Sequence, residues 1–162
     1  MSVSIYCAGP CDFNEKSYYD IIEGLITDDI PVTLFRPGLA FKTKGIVSPH
    51  YIVDVNMKAM MDADIVLFFI NDSKTIGTWM EAIWALNGKK RHIILYAEPG
   101  VRQSVYMRWL ADKFLTKWIT DVQELATVLK TKITQVNAEV FMELTEEFTL
   151  GDTLNLQEGA IE

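Results

Sequence analysis

The sequence predicts a three-layer α/β/α domain built around a five-stranded parallel sheet. Three observations carry this. Short apolar runs alternate with amphipathic stretches from residue 3 to about residue 133. One run, Ile65 to Ile70, is apolar throughout, as in a central strand covered on both faces. Proline, glycine and capping residues sit at the joints between runs. With 162 residues, 49% of them hydrophobic, the chain can bury one substantial core and is short for two.

Val3 to Ala8 reads as the first strand. Asp12 and Glu15 have the spacing of a capping box, and Tyr18, Ile21, Ile22, Leu25 and Ile26 follow at helical intervals. Pro31 restarts the chain before a short second strand, Val32 to Phe35, and Pro37, Gly38 and Gly45 make the next dozen residues a loop. Ser48 as N-cap with Pro49 behind it opens a helix that buries Ile52, Val55, Ala59 and Met60 and closes near Asp62. After the strand Ile65 to Ile70, Thr78 is the expected cap of a helix ending at Asn87 and Gly88. His92 to Tyr96 gives strand four, residues 101–113 a helix, and Lys117 to Thr120 a short edge strand. Val122, Leu125, Ala126, Leu129 and Ile133 then mark a last amphipathic helix.

Strict alternation with right-handed crossovers implies a flavodoxin-like or Rossmann-like sheet. In the order 2-1-3-4-5 the ligand crevice opens between strands one and three, beyond their carboxyl ends. Its walls are then Ala8 to Asp12 and Asn71 to Thr78.

The net charge of −7 is not spread over the chain. Seven carboxylates and no lysine or arginine lie in residues 137–162, so residues 1–136 hold 15 acidic and 15 basic groups. We expect residues 1–136 to form the domain and 137–162 an acidic tail, partly helical or disordered. Val140, Phe141, Leu144, Phe148 and Leu150 could form an apolar face on its first part. A neutral body without a basic stripe argues against duplex nucleic acid and for a small ligand. No apolar run approaches the roughly 20 residues of a membrane helix. Two cysteines and two histidines, His50 and His92, build neither a disulfide framework nor a zinc site, and the expected setting is cytoplasmic. Neither histidine has an evident catalytic partner. The chain has no G-x-G-x-x-G and no P-loop lysine motif, so no cofactor is expected.

On the first wall, Gly9 lets a backbone amide approach a ligand and is followed by Pro10, while Tyr6 can place a hydroxyl near the crevice floor. The second wall gathers Asn71, Asp72, Ser73, Lys74, Thr75, Gly77 and Thr78 where a helix begins, a setting that suits a phosphate or sugar oxygen. Glu81 has two readings. The Thr78-x-x-Glu81 spacing is that of a capping box, in which Glu81 would only satisfy the Thr78 amide. Alternatively its carboxylate is the reactive group of the crevice. Arg36, Lys42 and Lys44 could meet a 5′-phosphate or form a solvated loop.

Tyr6 and Gly9 on strand one, Ala63-Asp64 opening strand three, and Gly77-Thr78-x-x-Glu81 opening a helix that ends Asn87-Gly88-Lys89 together resemble the nucleoside 2-deoxyribosyltransferase family and its nucleotide N-hydrolase relatives. The resemblance spans roughly residues 4–97. It implies that Glu81 attacks the anomeric carbon of a deoxyribonucleoside, the base leaves, and another base or water resolves the sugar ester, with Tyr6 beside the glutamate. A carboxylate nucleophile splits this substitution into two easier steps, as in retaining glycosidases. Where the family carries an aspartate that helps protonate the base, this chain has Asn56, with Asp54 two residues earlier; a second family aspartate is replaced by Thr75. An amide can hydrogen-bond a base but cannot deliver a proton at neutral pH. The expected activity is therefore cleavage or transfer at an N-glycosidic bond, and the alternative is a nucleotide-binding or partner-binding protein on the same fold. The resemblance also implies a homo-oligomer, and the many Met and aromatic residues suit an interface. Asp64 is expected to orient the start of strand three.

Overall fold

A computed structural model describes residues 2–9, 22–24, 26, 30–37, 48–71, 76–90 and 92–158, with side chains as far as Met142. The elements are β1 (Val3–Ala8), β2 (Val32–Phe35), α1 (Pro49–Asp62), β3 (Ile65–Ile70), α2 (Ile76–Asn87), β4 (His92–Ala97), α3 (Val105–Lys113), β5 (Trp118–Ile119) and α4 (Val122–Glu158). The five strands form one sheet in the order β2-β1-β3-β4-β5, and every pairing is parallel. This is the flavodoxin-like order, one of the two that the alternating pattern leaves open, with the reversal between β1 and β3.

Alternation along the strands divides the core. Val3, Ile5 and Cys7 of β1 face the layer that contains Ile22 and the α4 residues Leu125, Leu129, Ile133 and Val136. Tyr6, Ala8, Val66 and Phe68 face the other layer, formed by Met60 of α1, Ala82 and Ala85 of α2, and Met107 and Leu110 of α3. All six residues of β3 are buried, which is why that strand tolerates no polar side chain. Among the described residues no helix is long and apolar enough to cross a membrane.

Local signals set most boundaries. The Ser48 side chain accepts from Tyr51 N at 3.2 Å, and Pro49 fills the first helical position of α1. Asp64 ties β3 to β1: Ser4 donates to its Oδ2 from the backbone N at 2.8 Å and from Oγ at 2.6 Å. The Lys90 ammonium in turn donates to Ala63 O at the carboxyl end of α1.

Three expectations change. Thr78 is not the cap of α2, because the helix already begins at Ile76 and Thr78 is buried in its first turn. Helix α3 starts at Val105 rather than residue 101. Val101 N bonds back to Glu98 O in a turn whose Gly100 has φ +92°, and Ser104 then caps the helix by accepting from Met107 N. Among the four helix positions expected to be buried in α1, only Met60 is fully so. At the start of β4, His92 Nε2 lies 3.0 Å from Glu139 Oε2 on the last helix. Helix α4 crosses residue 137 without a break and runs through Gly151 to Glu158. Of the expected first helix the described residues are 22–24, which are helical and include the buried Ile22, and Ile26, whose N donates to Glu23 O at 3.3 Å.

Candidate active site

The site is built where β1 meets α2. Residue 6 is on the α1–α2–α3 side of the sheet because its neighbours Ile5 and Cys7 are on the other. Tyr6 is fully buried, and its ring stacks on Phe35 of β2 with centroids 5.4 Å apart. Its hydroxyl points to α2 and donates to Glu81 Oε1 at 2.6 Å. Glu81 sits on the inward face of its helix, one turn after the buried Thr78 and one turn before the buried Ala85. The contact joins residues 75 apart in sequence.

This geometry speaks against the capping-box reading of Glu81. In a capping box the carboxylate would turn back to the helix start; here it reaches across to the sheet. Burial strips water from the carboxylate and pushes its pKa up from 4.5 to about 7, while the Tyr6 hydrogen bond pulls in the opposite direction and is the smaller effect. A glutamate with these properties is divided between its two protonation states near neutral pH. It can act as a nucleophile or a base when ionised, and its second oxygen Oε2 is not the one held by Tyr6.

The remaining predicted residues fall into three groups. Asn56 lies on α1, on the same side of the sheet, and its Oδ1 is buried without a hydrogen-bond partner among the described residues. Gly9, half-buried, follows the end of β1, and Asn71, exposed, follows β3; both border the predicted crevice. Gly77 is exposed in the first turn of α2, where an added Cβ would meet nothing within 4 Å. Asp54 is exposed on α1, and Thr78 is buried against the core rather than presented at a helix start. Pro10, Ser73 and Thr75 lie outside the described residues, as do Lys42 and Lys44. Arg36 forms an ion pair with Glu23.

Sequence reasoning passed over Phe35, the ring that packs against Tyr6. Its signal was available, because it ends β2 directly across the pairing register from Tyr6. It also missed an apolar groove of about 380 Å³ between α2 and α3, lined by Trp79, Ile83, Ser104, Tyr106, Trp109 and Leu110.

No family model and no curated protein matches the sequence. Solved structures do match the fold. The 2-deoxyribosyltransferase of Bacillus psychrosaccharolyticus superposes with a TM-score of 0.60 at 19% identity, over 76% of this chain and 90% of that one. The CMP N-glycosidase of Clostridium botulinum gives 0.56 at 19% identity, over 79% and 98%. A conserved protein from Enterococcus faecalis V583 gives 0.59 at 12% identity, over 82% and 99%. The chain shares the fold of a 2-deoxyribosyltransferase and an N-glycosidase. That likeness fits the three-layer parallel architecture and agrees with the fold expected from the sequence.

Proposed function

We propose that the protein cleaves or transfers at the N-glycosidic bond of a (deoxy)nucleoside or its 5′-monophosphate, with Glu81 as nucleophile. The observation that carries this is the Tyr6–Glu81 pair, a part-buried carboxylate held at 2.6 Å by a tyrosine hydroxyl beside the reversal of strand order. The fold it shares with enzymes named for deoxyribosyl transfer and for CMP N-glycosidic cleavage supports the same reaction class.

In the first step an ionised Glu81 oxygen attacks the anomeric carbon as the carbon–nitrogen bond breaks and its electron pair leaves with the base. The sugar is then held as an ester. Water or a second base attacks the same carbon and releases the Glu81 carboxylate. Tyr6 fixes Oε1, so that Oε2 is aimed while the hydroxyl stabilises the ionised form. Asn56 has no proton to give at neutral pH, so the departing base takes its proton from water or carries one already.

Gly9, Asn71 and Gly77, with Pro10, Ser73 and Thr75, make up the proposed sugar and phosphate walls. The protein acts in the cytoplasm as a homo-oligomer. The support for assembly is an outer face on which Ile76, Met80, Ile83 and Trp84 of α2 and Val105, Tyr106 and Trp109 of α3 are all exposed.

The test is release of free base, followed by chromatography, from a panel of nucleosides and 5′-monophosphates. Base is expected from the wild type and none from Glu81→Gln, which keeps the shape of the side chain and can still accept from Tyr6. Full activity in that variant would remove Glu81 from the mechanism.

A further inference from the structure

Helix α4 does not end where its packing ends. Its buried residues Leu125, Leu129, Ile133 and Val136, with the partly buried Val140 after them, succeed each other at intervals of three and four and form the seam against the sheet. The next two positions in that spacing, 143 and 147, are glutamates, so the sequence stops the seam at Val140. The helix nevertheless runs without a break to Glu158, about 27 Å beyond Val140. A second apolar row begins there. Phe141 is exposed, and Leu144 and Phe148 follow it three and seven residues on.

The groove between α2 and α3 matches this row in length and opposes it in charge. Its volume is about 380 Å³, and Tyr106 and Trp109 of α3 line it opposite Trp79 and Ile83 of α2. Lys113 extends the α3 side, with its Nζ 6.0 Å from the centroid of the Trp109 ring. Tyr106, Trp109 and Lys113 therefore stand at the same three- and seven-residue intervals as Phe141, Leu144 and Phe148. Arg102, Arg108 and Lys113 are exposed along this side, and Asp112 is the one acidic residue of 101–113. The only charged residue of α2 is Glu81, which Tyr6 engages at the sheet. Residues 141–158 carry Glu143, Glu146, Glu147, Asp152 and Glu158 and no lysine or arginine. The two surfaces of one chain do not meet. Helix α4 packs on one face of the sheet and α2 and α3 on the other, and an unbroken helix cannot turn back across the sheet edge to reach them.

We propose that α4 beyond Val140 is an arm that docks in the α2–α3 groove of a second copy of this chain, with the Phe141, Leu144 and Phe148 row in the groove and the arm's carboxylates beside Arg102, Arg108 and Lys113. This rests on the homo-oligomer reading above and names the segment that covers the exposed face. A helix laid in an apolar groove is held by anchors at such intervals, and tryptophan, tyrosine and arginine are the residues that contribute most at interfaces. The oppositely charged flanks steer the encounter and disfavour a groove-to-groove pairing, which would bring cations together. Each copy has one arm and one groove, so two copies that exchange arms close on each other as a symmetric dimer.

The experiment is sedimentation equilibrium on full-length proteins, with thermal unfolding followed by circular dichroism to confirm that each is folded. The arm is changed by Leu144→Lys with Phe148→Lys, and separately by Leu144→Ala with Phe148→Ala, which keeps a good helix former at both positions. The groove is changed by Tyr106→Glu, at a side chain that is 74% exposed and so carries no weight in the core. The wild type is expected to associate at micromolar concentration. Both arm variants and the groove variant should raise the dissociation constant at least about tenfold. Arm variants that associate as tightly as the wild type overturn this inference and leave assembly through the α2–α3 face standing. A groove variant that associates like the wild type while the arm variants do not also overturns it, because the arm then has another seat. A monomeric wild type removes the assembly reading and this inference together.

Discussion

Glu81 is held in the fold at a cost to stability that depends on pH, and the size of that cost can be worked out before any substrate is known. Its carboxyl titrates at about 7 in the folded protein against 4.5 when solvated, because burial disfavours the charged form more than the Tyr6 hydroxyl favours it. The folded state therefore keeps a proton, between these two values, that the unfolded chain has already lost. Stability falls as pH rises through that window, and the full penalty is present above about pH 7. The shift corresponds to about 3 kcal/mol, of which about 2 to 3 kcal/mol develops between about pH 5 and about pH 8. Glu81→Gln removes the titration while keeping the shape and an acceptor for Tyr6. Urea denaturation of both proteins at the two pH values should show the variant gaining on the wild type by that amount at the higher pH. Unfolding free energies that run parallel across the range would mean that Glu81 is solvated, and the argument for an enclosed nucleophile would fail with it.

Three further outcomes follow from named contacts. Tyr6→Phe deletes the hydroxyl that favours the Glu81 carboxylate, so the acid limb of the pH–rate profile should move up from about 7 by about 1 to 2 units, and an unmoved limb would mean the 2.6 Å bond does not act on the ionised form. Asp64→Ala removes both hydrogen bonds that Ser4 donates and leaves the Ser4 amide without its acceptor, which should lower stability by about 2 to 3 kcal/mol in urea titrations. A loss under about 0.5 kcal/mol would show that β1 and β3 do not depend on this clasp. On the exposed α2–α3 face, Trp84→Lys should lower the mass measured by analytical ultracentrifugation while thermal unfolding still reports a folded protein. A wild type that sediments as a monomer at micromolar concentration contradicts the assembly outright.

The sheet was legible because every strand is a local signal. An apolar run bounded by proline, glycine or a capping residue needs no partner to be recognised, and the parallel order follows from the helices between the runs. Helix starts were less secure, and the reasons are specific. At residues 98–104 two stops follow each other, the turn through Pro99 and Gly100 and then the cap at Ser104, and reading past them placed α3 four residues early. At Thr78 a valid capping spacing fell inside a helix that had already begun, since the pattern Thr-x-x-Glu carries no mark of how many turns precede it.

The chemistry was legible in another sense. Sequence spacing offered two roles for Glu81 and could not set the capping role aside, because the contact that does so comes from a strand 75 residues away. His92 and Glu139, 47 residues apart, were hidden for the same reason. Yet some long-range geometry is written in the repeat itself. In a sheet made by successive right-handed crossovers, two neighbouring helices on one face descend side by side to adjacent strands, so equal distance from the helix end means equal height. Counting back six residues from Asp62 and from Asn87 places an amide and a carboxylate at one level before any side chain is seen. What counting cannot supply is rotation about the helix, and the buried residues supply that: Met60 and Ala85, each four residues further on, turn Asn56 and Glu81 toward the same interior. Rotation thus brings the Glu81 carboxylate onto the hydroxyl that the strand beneath it supplies, and it encloses the Asn56 amide oxygen in the same layer.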